Sequence, residues 1–272
     1  MDIRYAASPA EVAGMSTDGL RQNFLVSDLF VDDEIRLTYT HHDRMIVGGA
    51  SPVRGPVVLQ NEPALKTDFF LQRRELAVVN VGGQGTVLVE NTPFLLEHQD
   101  CLYVGQGVER VEFAPSAGRY YLVSAVSHQA YPSRKALVAE SYRQHLGDSV
   151  HSNERTVYRF IHREGIRSSA LVLGLTVLDP GSVWNTIPAH THDRRTEIYL
   201  YFDLDPDHRV IHLMGQPDAS RHLVVANREA VISPSGSIHA GAGTSHYAFI
   251  WAMAGENDDY TDMELVPVQR LT

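Results

Sequence analysis

Two histidines and a glutamate stand close together in the segment AHTHDRRTEIYLYF, residues 189–202. His190 and His192 are two residues apart, so on an extended strand both imidazoles point to the same face. Glu197 follows at an odd offset, which would put it on the opposite face of one continuous strand. The intervening DRRT must therefore turn or bulge if Glu197 is to rejoin the histidines. Imidazole and carboxylate groups gathered in this way are typical ligands of a divalent metal.

A fourth ligand is expected from a neighbouring strand. The segment ISPSGSIHAGAG supplies His239 in the pattern Pro-x-Gly-x-x-His, in which proline and glycine allow a tight corner. Three imidazoles and one carboxylate leave room for substrate or water at a zinc, manganese, iron or nickel ion. We therefore predict a metal site with the ligands His190, His192, Glu197 and His239.

Short β-branched or aromatic runs, separated by Gly, Pro, Asn and Asp, make up most of the chain. About a dozen such runs predict an all-β sandwich or barrel. Helical patterns are few, at residues 16–26 and 135–146. The same order of strands and glycine turns recurs in both halves, which predicts two similar tandem β-barrels. The predicted divisions are an N-terminal segment (1–27), a first barrel (28–130), a linker (131–154), a metal-binding barrel (155–256) and a C-terminal tail (257–272).

Both halves also carry an Arg-Arg pair shortly before an acidic residue, Glu75 in the first and Glu197 in the second. The first half has no His-x-His motif. We interpret Glu75 as a relic of a metal site or as the partner of an arginine, and the first barrel as degenerate.

The charge balance narrows the possible partners. A net charge of −10 argues against nucleic acid, because phosphate binding needs a basic face. Lysine occurs only at Lys66 and Lys135, so a lysine Schiff base is a poor route to carbonyl chemistry here. No run approaches the roughly 18 apolar residues of a membrane span. The single Cys101 and the absence of an apolar leader favour the cytoplasm.

The spacing G-x8-H-x-H-x4-E from Gly181 to Glu197, followed by P-x-G-x-x-H ending at His239, resembles the two metal motifs of the cupin superfamily. The whole chain further resembles the family of 5-dehydro-4-deoxy-D-glucuronate isomerases. The segments that carry this resemblance are DGLRQNFLV, HDRMIVGG, RRELAVVNVGGQGTV, CLYVGQG, WNTIPAHTHDRR, HLMGQP, ISPSGSIHAG and FIWAMAGEN. Gly236 stands where relatives are expected to carry a bulky aromatic residue, a difference that would widen the pocket.

The resemblance implies two cupin barrels, a zinc ion held by the four predicted ligands, and a homohexamer. The implied reaction is the isomerisation of a uronate aldose to a ketose. A proton leaves C2 and arrives at C1 through an enediol, and the base remains open between a water at the metal, His212 and a loosely held Glu197. Arg221 and Arg194 are candidates for the substrate carboxylate, since a guanidinium donates two parallel hydrogen bonds. Tyr199 is a candidate partner of a sugar hydroxyl.

Two other functions fit the same ligands. Three histidines and a glutamate also bind iron or nickel in cupin dioxygenases, which oxygen uptake would reveal. A cupin that binds a sugar without turnover would show neither oxygen uptake nor conversion of a uronate.

Overall fold

β-Strands form most of the ordered elements of the chain, and the computed structural model describes all of residues 1–272. The two α-helices, α1 (Pro9–Gly14) and α2 (Thr17–Phe24), both lie near the N-terminus. The all-β prediction is confirmed. None of the helices is long and apolar enough to cross a membrane.

The strands fall in chain order, with three short 3-10 turns at Pro63–Leu65, Val138–Glu140 and Val268–Arg270. Those up to residue 146 are β1 (Asp2–Arg4), β2 (Leu25–Val26), β3 (Ile35–Thr40), β4 (Ile46–Ala50), β5 (Val57–Val58), β6 (Arg74–Asn80), β7 (Gly85–Val89), β8 (Thr92–Leu96), β9 (Cys101–Val104), β10 (Val111–Phe113), β11 (Tyr120–Val126), β12 (Arg134–Ala136) and β13 (Tyr142–Leu146). The others are β14 (Arg155–Ile161), β15 (Val172–Leu178), β16 (Trp184–Asn185), β17 (His190–Thr191), β18 (Arg195–Phe202), β19 (Val210–Gln216), β20 (Ala219–Val225), β21 (Glu229–Ser233), β22 (Ala240–Gly243), β23 (Ala248–Gly255) and β24 (Glu264–Leu265).

Local chemistry explains the helix that the sequence predicted correctly. The Ser16 side chain accepts a hydrogen bond from the Gly19 amide, which satisfies one of the free donors at the start of α2. The helix predicted over residues 135–146 is wrong. This stretch forms β12, a 3-10 turn and β13, because β12 pairs with β9 and the Val138 amide donates to Asp100. Strand pairing and this side-chain contact outweigh a weak helical pattern.

The chain divides into two compact units. The first comprises Met1–Arg4, Asp28–Tyr142 and Arg159–Leu173. Its strands form one sheet in the order β1-β3-β4-β11-β6-β9-β12 and a second in the order β5-β10-β7-β8. Alternate residues of β6, such as Leu76 and Val78, enter an apolar core.

Glu75 lies on the opposite face of β6 from that core. Its carboxylate is buried and accepts hydrogen bonds from the Tyr103 hydroxyl at 2.7 Å and from the amides of Ser169, Ala170 and Leu171 at 2.7, 2.7 and 2.8 Å. These partners include no arginine, so the interpretation of Glu75 as an arginine partner is wrong, and its origin as a metal-site relic stays a prediction. Its role is to hold residues 169–171 within the first unit.

The second unit comprises Tyr5–Ser27, Arg143–Tyr158 and Gly174–Thr272. Residues 5–27 belong to it because β2 pairs with β21 and because Arg221 donates to carbonyl groups of the N-terminal segment. The larger sheet has the order β13-β14-β15-β23-β18-β21-β2, and the smaller one has the order β16-β22-β19-β20. Strand β18 is buried along its whole length between β23 and β21. A short pair, β17 with β24, completes the unit.

Candidate metal centre

The two histidines of the His-x-His motif lie at β17, which pairs with β24 through His190 and Leu265. The Nε2 atoms of His190 and His192 are 3.2 Å apart. Residues 192–194, which begin with His192 itself, separate β17 from β18, so the break predicted before Glu197 is present. Because of this break, the Glu197 side chain points toward the two histidines despite its odd offset in the sequence.

Glu197 and His239 complete the group from two other strands. Glu197 is the third residue of β18, and His239 directly precedes β22. The Gly236 amide donates to the His192 carbonyl oxygen at 2.8 Å, which ties the Pro-x-Gly corner to the end of β17. Glu197 Oε2 lies 2.8 Å from His239 Nε2 and 3.1 Å from His192 Nε2, and His239 Nε2 lies 2.8 Å from His190 Nε2.

These residues fit a divalent metal ion. One ligand atom from each of the four lies within 4.8 Å of all the others. A tetrahedral ion with bonds of about 2.1 Å places its ligands about 3.4 Å apart, close to the separations observed here. Three nitrogens and one oxygen are compatible with zinc, manganese, iron or nickel.

The protonation states also suit a metal. Burial, followed by the neighbouring His239, lowers the pKa of His190 to about 3. Burial opposes ionisation of Glu197, but the charge of His239 and hydrogen bonds from His192 and His239 outweigh it, and the pKa lies well below the usual carboxyl value. At neutral pH the imidazole of His190 is thus neutral and the carboxylate of Glu197 is ionised, and these are the forms that bind metal.

A backbone oxygen near the C-terminus orients His192. The Nδ1 atom of His192 is hydrogen-bonded to the Asp262 carbonyl oxygen, which also accepts from Arg195 Nη2 at 3.1 Å. With Nδ1 donating to this carbonyl, Nε2 is the ring nitrogen that would bind a metal. Arg195 is buried rather than solvated. This contact could not be predicted from residue types, because any residue at position 262 offers the same carbonyl.

A cavity of about 260 Å³ opens onto the ligands. The side chains that line it include His190, His192, Glu197 and Tyr199, together with Arg155, which the sequence reasoning missed. Glu197 is the only carboxylate among them, and Arg155 is the only lysine or arginine.

Tyr199 lies where its predicted role requires. It lines the cavity, and its hydroxyl is 3.2 Å from Thr186 Oγ1. Burial, and next the charge of Glu197, raises the pKa of Tyr199 well above its usual value, so the hydroxyl keeps its proton. Tyr199 can therefore donate a hydrogen bond to a ligand oxygen.

His212, predicted as a candidate base, lies in the barrel wall. It is fully buried, its Nδ1 lies 2.7 Å from the Tyr201 hydroxyl, and it is not among the residues that line the cavity. Burial, and next His239, lowers its pKa to about 3, which keeps the ring neutral at physiological pH. His212 is therefore packed inside the barrel wall and does not face the cavity in which a substrate would bind.

The structure does not bring the two predicted carboxylate partners to the cavity. Arg194 is 65% exposed and lies 3.6 Å from Glu256. Arg221 donates to the carbonyl oxygens of Ala13 and Met15, each at 2.6 Å, and so anchors the N-terminal segment to β20. Neither arginine lines the cavity. Their predicted contact with substrate has no support in these positions, since both side chains already have protein partners.

Gly236, predicted to widen the pocket, lies outside the cavity lining and has a φ of +75°. An added Cβ would lie 3.7 Å from Asp193 Oδ1 and 3.8 Å from Gln216 Nε2, so space is available and backbone conformation is the constraint. We expect Gly236→Ala to lower the free energy of unfolding by about 1 kcal/mol, the usual cost of a left-handed alanine. Denaturant unfolding would measure this change, with Gly14→Ala as the control.

Gly14 has no heavy atom within 4 Å of an added Cβ and no left-handed φ. Its substitution should leave stability unchanged or slightly raised. Equal losses in both variants would contradict the assignment of the cost to the backbone at Gly236.

Comparison with known proteins bears directly on this site. The model of the KduI/IolB family matches residues 25–268. The chain belongs to the KduI/IolB family. Among its relatives, the proteins named 4-deoxy-L-threo-5-hexosulose-uronate ketol-isomerase from Shouchella clausii and Bacillus subtilis are 51% and 47% identical to it, each over 100% of both chains. A Rhizobium meliloti protein named 4-deoxy-L-threo-5-hexosulose-uronate ketol-isomerase 2 is 52% identical over 99% of this chain and 96% of its own.

Solved structures place this KduI/IolB family member among cupin-type folds. An IolB-like protein from Salmonella typhimurium superposes with a TM-score of 0.72 at 16% identity, over 90% of this chain and 97% of that one. Bacillus subtilis oxalate decarboxylase superposes with a TM-score of 0.54 at 9% identity, over 82% and 71% of the two chains. At such identities the likeness concerns the fold, and it confirms the predicted cupin architecture.

Proposed function

We propose that this protein is a metal-dependent ketol-isomerase. Its substrate is 4-deoxy-L-threo-5-hexosulose uronate, also called 5-dehydro-4-deoxy-D-glucuronate, and its product is 3-deoxy-D-glycero-2,5-hexodiulosonate. The observation that carries the proposal is the convergence of His190, His192, Glu197 and His239 on one point, beside a cavity that the first three line. Relatives of that name align over the full chain at about half identity. We further propose zinc as the metal, a cytoplasmic homohexamer, and a role in the breakdown of pectin-derived uronates.

The reaction moves a proton from C2 to C1 while negative charge develops on the carbonyl oxygen. A bound divalent ion supplies Lewis-acid stabilisation of that charge. His190, His192, Glu197 and His239 would hold the ion, and the Asp262 carbonyl fixes the ring orientation of His192. The Nε2 atoms of His192 and His239 already lie 3.2 and 2.8 Å from that of His190, so substrate binding is not needed to bring the three rings together.

Two cavity residues can handle protons and hydroxyls. Glu197 is the only carboxylate in the cavity, so we propose that it accepts the proton that leaves C2. Its low pKa keeps it ionised and available as an acceptor at neutral pH, although the same shift makes it a weak base. Tyr199, which keeps its proton, donates to a substrate oxygen. His212, which is hydrogen-bonded to Tyr201 and does not line the cavity, has no part in this assignment.

A coupled assay tests this function. The substrate is made by an unsaturated-uronate hydrolase, and the ketose product is followed with a reductase that consumes it. We expect conversion by the native protein, loss after chelation, and recovery after addition of zinc, with no oxygen uptake. Undiminished conversion by metal-free protein would overturn the metal dependence. Oxygen uptake would instead indicate a dioxygenase, and binding without conversion would indicate a sugar-binding cupin.

A further inference from the structure

Arg155 is the one strongly basic side chain in the cavity. It begins β14, and Val157, two residues later, lines the same cavity. Thr156 between them faces the other way, with its hydroxyl 3.3 Å from His145 Nδ1. The period of two along a strand therefore directs Arg155 inward.

The guanidinium of Arg155 has unused donors. Its one hydrogen bond runs from Nη1 to the Asn153 carbonyl oxygen at 2.7 Å, and it forms no ion pair with a carboxylate. Burial lowers the pKa of Arg155, but an arginine starts so far above neutrality that it keeps its charge. A half-buried cation without a protein anion is suited to an anionic ligand.

The strand order sets the span between Arg155 and the metal ligands. Strands β15 and β23 lie between β14 and β18, so three strand spacings, about 14 Å measured across the sheet, separate the backbones of Arg155 and Glu197. Both residues line the same cavity, which shortens the gap between their side chains. A six-carbon chain, with C–C bonds of about 1.5 Å, spans about 6 Å between C1 and C6. A hexuronate with its aldehyde end at the ligands therefore has its carboxylate on the side of the cavity where an anion partner is needed, and Arg155 is the only lysine or arginine there.

Charge over the whole molecule makes such a local cation necessary. The chain has a net charge of −10, which repels an anion at long range. A guanidinium offers two parallel hydrogen bonds that match a carboxylate and that a neutral sugar cannot use equally well.

We infer that Arg155 binds the carboxylate of the substrate and selects sugar acids over neutral sugars. This inference rests on the proposed function for the identity of the substrate. It replaces Arg194 and Arg221 in that role, because neither lines the cavity.

The test compares Arg155→Gln, Arg155→Lys and the wild type, all loaded with zinc. In the isomerase assay, Arg155→Gln should raise KM about 10- to 100-fold, the range for loss of a charge-assisted hydrogen-bond pair, with a smaller change in kcat. Arg155→Lys should recover part of the loss. Metal content and thermal stability should match the wild type, which separates substrate binding from misfolding. Arg143→Gln, an exposed arginine on the neighbouring β13, is the matched control.

A binding experiment separates this inference from the proposed function. D-galacturonate and its neutral methyl ester are titrated calorimetrically into each protein. The wild type should bind the acid at least about tenfold more tightly, and Arg155→Gln should bind the two alike. If the wild type prefers the acid but shows no isomerase activity, the role of Arg155 in binding a carboxylate stands and the proposed function is overturned. An unchanged KM in Arg155→Gln, or no acid preference in the wild type, would overturn the role of Arg155.

Discussion

Substitution of His239 by alanine is expected to abolish stable metal binding and to lower kcat/KM for the uronate by about a thousandfold or more. His239 Nε2 contacts Glu197 Oε2 and His190 Nε2, each at 2.8 Å, so its loss removes one of four ligands and opens the site on one side. A Lewis acid contributes several kcal/mol to such reactions. Each ~1.4 kcal/mol corresponds to tenfold in rate, which gives the expected size of the loss.

Metal analysis of dialysed protein, run beside the coupled assay, measures both effects. His246→Ala provides the control, because His246 is an exposed histidine in the same unit and outside the cavity. It should keep its metal and its activity. Full metal occupancy with normal turnover in His239→Ala would remove His239 from the ligand set, and a thermal melt of each variant would show whether the fold is intact.

Substitution of Glu75 by alanine is expected to lower the free energy of unfolding by about 4 kcal/mol. The change leaves three backbone amides and the Tyr103 hydroxyl without their acceptor. Each unsatisfied buried group costs about 1–3 kcal/mol, and water that enters the space left by the side chain would recover part of the total. Urea unfolding should show the loss in the transition of the first unit.

Two comparisons make the Glu75 experiment specific. Glu97→Ala removes an exposed glutamate from the same unit and should change stability by less than about 0.5 kcal/mol. Metal binding should survive in Glu75→Ala, because all four ligands belong to the second unit. A loss of stability no larger than that of Glu97→Ala would show that the four hydrogen bonds contribute little.

The clustering of the four candidate metal ligands could be predicted because its signal is local. The spacing of His190 and His192 on one face, the break before Glu197, and the Pro-x-Gly corner before His239 each follow from strand geometry over a few residues. Their meeting in one cavity is the arrangement that the spacing predicted. The two β-barrels followed from the recurrence of strands and turns, and the cupin assignment followed from the resemblance of the metal motifs.

The remaining features depend on long-range order that local pattern does not carry. Arg155 reaches the cavity because the sheet places β14 two strands from β23 and three from β18. Asp262 contacts His192 through its backbone oxygen, and the residue type at a position does not indicate such a backbone contact. The analogy between Glu75 and Glu197 failed because a shift of one residue along a strand moves a side chain to the other face.

The pairing of β24 with β17 changes how the limits of the catalytic domain should be drawn. Residues 257–272, which the pattern of strands left outside the barrel as a tail, contribute Tyr260, Met263 and Leu265 to the cavity and the Asp262 carbonyl to His192. A fragment trimmed at the last long strand would keep all four ligands and lose one wall of the pocket. For protein engineering, a C-terminal truncation should therefore spare these residues through Thr272, whose carbonyl oxygen accepts a hydrogen bond from Ser220.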